Sequence, residues 1–538
     1  MSPTGSETVL VHRSRRDDVE SAVVSGSIWT MLHVAMSTPI ALVVNAIVAR
    51  VLGPAEYGKL ALITMVVAIA GQVSNFSVSE GVIQWGAAAH ARGDKAFVDR
   101  LLRASLGYHL VVQLPLLVIV VTLLGAGAGP LVLGALVLSV ALPAALGSAA
   151  LSISIENKTA AAARLAIAAN LAAQAAIAAT AMLTQAPVSV WASRSAAGSL
   201  LVPLNFLLLD RARRRVALSP QLPRRMPPGF WRFCAFGTAG GLTTGLVLTR
   251  SETLVLGRYG QTATLGVFAL AFGLAQQVTA PIDAVTAPLA PAVAGVMERR
   301  PDLAGETFLR ITRVSSLMAA LLIVGAFPIV QSAIPVVYGS DFAAAAWAFL
   351  VLGIASCTQT VATPAMTFAR TRRRTARILV VSVIALVADA GLAVALIPPL
   401  GLVGAVTANV AGFGTLFGAL IVMELRAGRV RLRSYLGAAC PLLLGGTAMA
   451  GSLAIPLTDL SWWAEGTTHS AAAYAILALL VRLTGAAPGQ RDAMGSVFEN
   501  VSARAAWPLR LTLAPLLGTL QRASVHSPSD APGDSSVH

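Results

Sequence analysis

Three arginines lie close to the ends of long apolar stretches, where burying an isolated charge costs free energy: Arg194, Arg250 and Arg50. An arginine side chain donates two parallel hydrogen bonds to a phosphate group and keeps its charge at any depth in a membrane. These residues are therefore candidate ligands for an anionic, phosphate-bearing molecule. The alternative is that they reach outward to phospholipid headgroups.

Carboxylates inside the apolar stretches are the second set of candidates. Asp389 lies about eleven residues into its stretch, or about 16 Å along a helix, so it is expected near the bilayer midplane. A carboxylate at that depth suits coupling to H⁺ or Na⁺, or a hydrogen bond between helices. Glu252 is about 200° from Arg250 around a helix, so the two cannot both face one cavity. An ion pair with a neighbouring helix is expected for Glu252. Asp283, in "APIDAVTAPLAP", marks a hinge, a binding site or a bend.

Uncharged polar residues are scattered through the same stretches. Asn45, Gln72, Gln113, Gln276 and Gln277 have amides that could bind sugar hydroxyls, although hydrogen bonds between helices are the commoner use. The sequence contains no Walker A motif, no His/Cys metal spacing and no G-x-S-x-G motif. We therefore expect neither an enzyme nor a cofactor, apart from coupling to H⁺ or Na⁺.

The elements that must position these residues are membrane-spanning helices. Hydrophobic residues make up 56% of the chain and charged residues 12%, whereas soluble domains have about a quarter charged residues. The apolar stretches are continuous and about twenty residues long, which suits helices and not the short alternating strands of a barrel. We predict fourteen spans, at 24–50, 59–80, 104–125, 130–152, 165–184, 189–209, 233–257, 264–294, 314–336, 343–368, 378–397, 400–423, 436–457 and 470–487.

The distribution of positive charge predicts the orientation. Of the 39 Lys and Arg residues, 34 fall in alternate connections between the predicted spans, beginning with the N-terminal segment. The positive-inside rule then places both termini and every basic connection in the cytoplasm. The net charge of +15 is thus a topology signal, and no nucleic acid partner is expected.

A repeated phrase predicts two halves. "RVLGPAEYGKLAL" (50–62) returns as "LVLGRYGQTATLGVFAL" (254–270), at the same place in each set of six spans, although glycine-rich turns recur in many membrane proteins. Two six-helix repeats enter the membrane in the same orientation and enclose a central cavity. The predicted divisions are a cytoplasmic segment (1–20), an N-lobe (21–209), a basic cytoplasmic linker (210–232), a C-lobe (233–423), two further helices (424–487) and a largely disordered cytoplasmic tail (488–538).

Several motifs together carry a family resemblance over residues 22–490. "ARVLGPAEYGKLAL", "SETLVLGRYG", "VVYGSDFAAAAWAFLVLG" and "LIPPLGLVGAVTANV" occur in that order. The chain resembles polysaccharide and O-antigen flippases, the Wzx-like branch of the multidrug/oligosaccharidyl-lipid/polysaccharide (MOP) exporter superfamily. It departs from them in two places: Glu252 stands where Asp is frequent, and "SNFSVSEG" ends the second span where D-L-G is frequent.

The resemblance implies that the chain moves an undecaprenyl-pyrophosphate-linked oligosaccharide from the cytoplasmic to the outer leaflet of the bacterial inner membrane by alternating access. Its implied partners are this lipid-linked oligosaccharide, membrane lipids, and glycosyltransferases or a polymerase of a polysaccharide pathway. The three arginines would then meet the pyrophosphate. The alternatives are a multidrug or cation antiporter of the same superfamily, a lipid II flippase, a membrane polysaccharide polymerase or ligase, and a non-transporting scaffold.

Overall fold

The computed structural model is helical throughout the part of the chain that it describes, with no strand there. Its backbone is described for 5–156, 159–224, 226–249, 251–286, 293, 297, 301–372, 374–457 and 460–484. Within these ranges, side chains are described from residue 36 onward, except at 159–163, 248–249, 281, 283–286, 301 and 375. The expected all-α membrane fold class is confirmed.

The helices of the first 260 residues follow the predicted stretches, several of which are broken. They are α1 (Gly5–Asn75), α2 (Val78–Ala91), α3 (Lys95–Tyr108), α4 (Leu114–Leu124), α5 (Pro130–Leu146), α6 (Ser148–Ile155), α7 (Thr159–Thr184), α8 (Pro187–Ser199), α9 (Leu201–Leu207), α10 (Arg211–Ala217), α11 (Phe230–Thr249) and α12 (Ser251–Arg258). A π-helical turn, His109–Gln113, joins α3 to α4.

The later helices are longer on average. They are α13 (Thr262–Thr286), α14 (Ala304–Gly325), α15 (Phe327–Tyr338), α16 (Ala345–Thr371), α17 (Thr375–Leu400), α18 (Leu402–Ala427), α19 (Leu432–Leu453) and α20 (Trp462–Leu483).

Breaks occur where the local sequence favours them. In α1 the backbone leaves the helical region at Gly53, whose φ of 70° is accessible to glycine, and Pro54 follows at once. This kink lies between the first two predicted spans. The second of those spans breaks at Phe76 and Ser77, both with positive φ, and the sixth is divided between α8 and α9 at Leu200.

Only some of the helices are both long enough and apolar enough to cross a membrane on their own. Among the described residues, nine helical segments are long and apolar enough to cross a membrane, and the bent pair α5 and α6 makes ten. One of the nine, 36–75, contains the Gly53 kink and residues of two predicted spans. The chain is therefore a multi-pass membrane protein, and the count of fourteen stays a prediction.

The chain divides into two compact units. The first unit comprises Met1–Gln277, Ala333–Ala355 and Arg374–Ala419, and the second comprises Val278–Ser332, Ser356–Arg373 and Leu420–His538. Because the first unit takes in segments from both predicted lobes, this division does not test the proposed lobe boundaries, which stay predictions.

The core of the first unit packs α1 against α4, α5, α7 and α8. Its buried members are mostly branched aliphatic side chains, with one tryptophan: Val44, Val48, Leu60, Leu117, Val121, Leu136, Ile177, Val190 and Trp191. This packing fixes the faces of α1 and α8 that carry the polar residues of the candidate site.

The second unit contains the tight packing of α14, α19 and α20. A Cβ atom added to Gly445 would lie 2.8 Å from the Cα atom of Ala320, so only glycine permits this approach of α19 to α14. Ser316 donates a hydrogen bond to the Ala438 carbonyl at 2.7 Å across the same contact. Small residues at such a crossing let helix backbones approach closely in a membrane.

Candidate functional site

A cavity of about 280 Å³ lies in the first unit. Its lining comes from α1, α8, α12 and α13, and therefore from both predicted lobes. The polar members of the lining are Tyr57, Thr64, Arg194 and Thr253, and the aromatic members include Phe268 and Phe272. A mainly apolar cavity with a few convergent polar groups is the usual form of a ligand site.

Arg194 is the cation of this cavity. Pro187 opens α8, which suits the first turn of a helix, and Arg194 follows about two turns later on the face that lines the cavity. Its side chain is exposed and forms no ion pair within the described part of the chain. An unpaired arginine in a cavity is available to an anionic ligand.

A second, smaller cavity of about 60 Å³ adjoins the same arginine. Three amide side chains, Asn45, Gln174 and Gln277, line it together with Arg194. The hydroxyl group of Tyr57 donates a hydrogen bond to Asn45 Oδ1 at 3.0 Å. Because Tyr57 lines the larger cavity and Asn45 the smaller one, this bond joins the two polar linings.

Two carboxylates lie side by side in the interior of the first unit, and neither belongs to the lining of the two cavities. Glu252 on α12 and Asp389 on α17 are both fully buried. Ser251 donates a short hydrogen bond to Asp389 Oδ2, while Asp389 Oδ1 and both carboxylate oxygens of Glu252 have no hydrogen-bond partner among the described residues. Asn409 of α18 lies beside Glu252 and interacts with it, and neither of its buried amide atoms has a hydrogen bond of normal geometry within the described part of the chain.

This carboxylate cluster has the composition of a proton or cation site. Two buried carboxylates repel each other when both are charged, so a shared proton or a bound cation stabilises the pair. Oxygen atoms from carboxylate, hydroxyl and amide groups are the ligands that hard cations prefer. The sequence led us to expect a cation beside Glu252, whereas the described residues place a second carboxylate there.

The other predicted site residues are Arg50, Arg250 and Asp283. Arg50 is exposed on α1, just before the Gly53 kink, and lines neither cavity. Arg250 lies outside the described residues. The backbone of Asp283 belongs to α13, but its side chain lies outside the described part. The structure thus brings Glu252 and Asp389 together and places Arg194 in a separate cavity.

Sequence reasoning missed several neighbours of these residues. Tyr57, Gln174 and Thr253 line the cavities, and Ser251 and Asn409 complete the carboxylate cluster. For Asn409 a signal was available, because an asparagine inside the apolar stretch "LVGAVTANVAGFG" is costly unless it finds a polar partner.

Comparison with known proteins agrees with this fold. The model of the family described as "Polysaccharide biosynthesis protein" matches residues 47–347, more than half of the chain. No curated protein matches the sequence.

Two solved structures show the same architecture at low sequence identity. The lipid II flippase MurJ in its inward closed conformation superposes with a TM-score of 0.62 at 12% identity, covering 85% of this chain and 99% of that chain. An inward-facing multidrug resistance MATE family transporter of the MOP superfamily superposes with a TM-score of 0.53 at 14% identity, covering 75% and 99%. The chain is thus a multi-pass membrane protein that belongs to the polysaccharide biosynthesis protein family and has the fold of MOP superfamily transporters.

Proposed function

We propose that this protein translocates a lipid-linked oligosaccharide from the cytoplasmic to the outer leaflet of a bacterial inner membrane. The substrate is an undecaprenyl-pyrophosphate-linked glycan that becomes part of a cell-surface polysaccharide. Both termini of the protein face the cytoplasm. Family membership supports a role in polysaccharide biosynthesis, and the fold supports transport by alternating access.

The observation that carries the proposal is the position of Arg194, which forms no ion pair with any described residue, in a cavity with lining from both predicted lobes. A pyrophosphate offers several acceptor oxygens to a guanidinium group, and the hydroxyl group of Thr253 in the same lining can donate a further hydrogen bond. In this proposal Arg194 holds the pyrophosphate during translocation, and Arg50 and Arg250 attract it before or after that step.

Movement is coupled to H⁺ or Na⁺ through the carboxylate cluster. A proton or cation bound between Glu252 and Asp389 changes the charge in the packing of α12, α17 and α18, and can favour one access state over another. Asp283 is a second candidate for this role, on the basis of the sequence alone.

The experiment is complementation of a deletion strain. Loss of the gene should leave lipid-linked glycan facing the cytoplasm, where an impermeant glycosidase added outside cannot reach it. A strain lacking a polymerase should still expose single units outside, so the assay separates translocation from polymerisation. Accumulation of externally accessible glycan in the deletion strain would exclude the flippase function.

Arg194→Ala, alone and with Arg250→Ala, tests the cation role in the same strain. We expect export to fall about tenfold or more, because the lost charge-assisted contacts oppose binding of the pyrophosphate. Arg258→Ala is the matched control, since Arg258 is exposed and lines neither cavity. Wild-type export by the double variant at normal abundance would refute the role of both arginines.

A further inference from the structure

The small cavity beside Arg194 has an unusual lining. Three amide side chains reach it from three different helices: Asn45 from α1, Gln174 from α7 and Gln277 from α13. The rest of the wall is aliphatic, with Val44, Val48 and Ile177 almost fully buried. Amides that come from separate helices and line one cavity can bind the same ligand, whereas amides that hydrogen-bond between two helices cannot.

The hydrogen-bonding capacity of these amides is only partly used. Asn45 Oδ1 accepts a hydrogen bond from Tyr57, and the Asn45 side chain also hydrogen-bonds to Tyr338. Gln277 Oε1 is buried and has no hydrogen-bond partner within the described ranges. Gln174 donates to Asn170 Oδ1 at 3.4 Å, near the limit for such a bond. Buried polar atoms without partners in a protein call for a ligand or water.

The chemistry of the lining defines the ligand. Amides offer donors and acceptors without charge, which matches hydroxyl groups, since each hydroxyl both donates and accepts. A phosphate group offers only acceptors and would face the carbonyl oxygens unfavourably, and a lipid chain would leave the amides unpaired.

The two cavities differ in size, so each can hold a different part of one ligand. The smaller cavity, about 60 Å³, holds a few groups of the size of water, whereas the larger one, about 280 Å³, has room for a ring. Arg194 and Leu60 belong to both linings, so a molecule bound at Arg194 can occupy the two together.

We propose that Asn45, Gln174 and Gln277 form a sugar-reading subsite that binds the hydroxyl groups of the first sugar attached to the pyrophosphate. The subsite rests on the proposed function. The sugar ring occupies the larger cavity, its hydroxyls enter the amide-lined cavity, and Arg194 binds the adjoining phosphate. The amides therefore discriminate a loaded carrier lipid from an empty one.

Binding measurements on the full-length protein in nanodiscs test this subsite with two probes: undecaprenyl pyrophosphate, and the lipid-linked glycan extracted from the deletion strain. Gln174→Leu combined with Gln277→Leu keeps the side-chain volume but removes the hydrogen bonds. We expect this variant to bind the glycan-bearing lipid about tenfold more weakly and the sugar-free lipid within about twofold of wild type. Arg194→Ala should weaken binding of both.

Gln113→Leu is the matched control, because Gln113 is an amide in the π-helical turn that lines neither cavity. If the double Leu variant lost affinity for both probes equally, or bound both as the wild type does, the proposed subsite would be refuted. A single variant, Gln277→Leu, provides the same comparison if the double variant does not fold. Wild-type protein that binds neither probe would instead overturn the proposed function.

Discussion

Gly58 and Gly266 contact each other backbone to backbone, and they belong to the two copies of the repeated sequence phrase. A Cβ atom added to Gly58 would lie 2.9 Å from the Gly266 nitrogen, and one added to Gly266 would lie 3.1 Å from the Gly58 nitrogen. The same added atoms would overlap the carbonyl oxygens of Thr262 and Pro54. The repetition therefore places a small residue from each half at one crossing of α1 and α13.

Alanine at either glycine should disturb this crossing. We expect Gly58→Ala and Gly266→Ala each to cost about 1–3 kcal/mol in the described conformation, because the two helices must separate, and to reduce glycan export. Gly71→Ala is the control, since Gly71 lies on the same helix as Gly58 with nothing within 4 Å of an added Cβ. Thermal unfolding and export are measured at equal abundance. Normal export by Gly266→Ala would remove this crossing from the transport cycle.

The sequence predicted the helices well because their signal is local. Continuous apolar stretches determine where helices form, and the distance of Asp389 from the ends of its stretch predicts a position near the bilayer midplane. The neighbour of Glu252 could not be predicted, because α12, α17 and α18 meet only through tertiary packing. For the same reason Asn45 and Gln277 looked like separate polar residues, although they line one cavity.

Gly412 limits the space around the carboxylate cluster. A Cβ atom added there would lie 2.7 Å from Asp389 Oδ1 and 2.9 Å from Asp389 Cβ, so Gly412→Ala must displace the carboxylate. We expect a loss of about 1–3 kcal/mol in the free energy of unfolding. Gly414→Ala, on the same helix with nothing within 4 Å, should be neutral or stabilising by up to about 1 kcal/mol. Equal unfolding temperatures for the two variants would show that the cluster adjusts freely.

Neutral replacements of the carboxylates should separate stability from coupling. Glu252→Gln replaces one of two adjacent buried carboxylates by a neutral amide and so removes their mutual repulsion; we expect a higher unfolding temperature in sodium-free buffer together with loss of driven export. Asp389→Asn should also abolish coupling. If Na⁺ is the coupling ion, sodium chloride should stabilise the wild type relative to choline chloride, by about 2.7 kcal/mol at a hundredfold excess over Kd, and should not stabilise either variant. Full driven export by both variants would assign coupling elsewhere.

Arg213 anchors the start of the predicted linker to the helices before it. Its guanidinium group pairs with Asp99 at a short contact and with Glu156 at 2.7 Å, and its side chain is only 14% exposed. The backbone N–H of Gln221 donates a hydrogen bond to the Arg103 carbonyl at 3.0 Å, and the Ser148 hydroxyl donates one to the Ala217 carbonyl at 3.0 Å. The first part of the segment 210–232 is therefore docked on the first unit and is not a free tether.

Removing Arg213 should loosen this attachment. Arg213→Ala removes the guanidinium group that contacts both Asp99 and Glu156, so we expect a cost of about 2 kcal/mol, reduced from that of a fully buried pair because Asp99 is 33% exposed. Arg215→Ala, an exposed residue on the same helix, removes the same charge and should have almost no effect. Limited proteolysis at 210–232 and thermal unfolding measure the difference. Since Arg213 lines neither cavity, a matching loss of ligand binding in Arg213→Ala would show that linker docking also controls the cavity conformation.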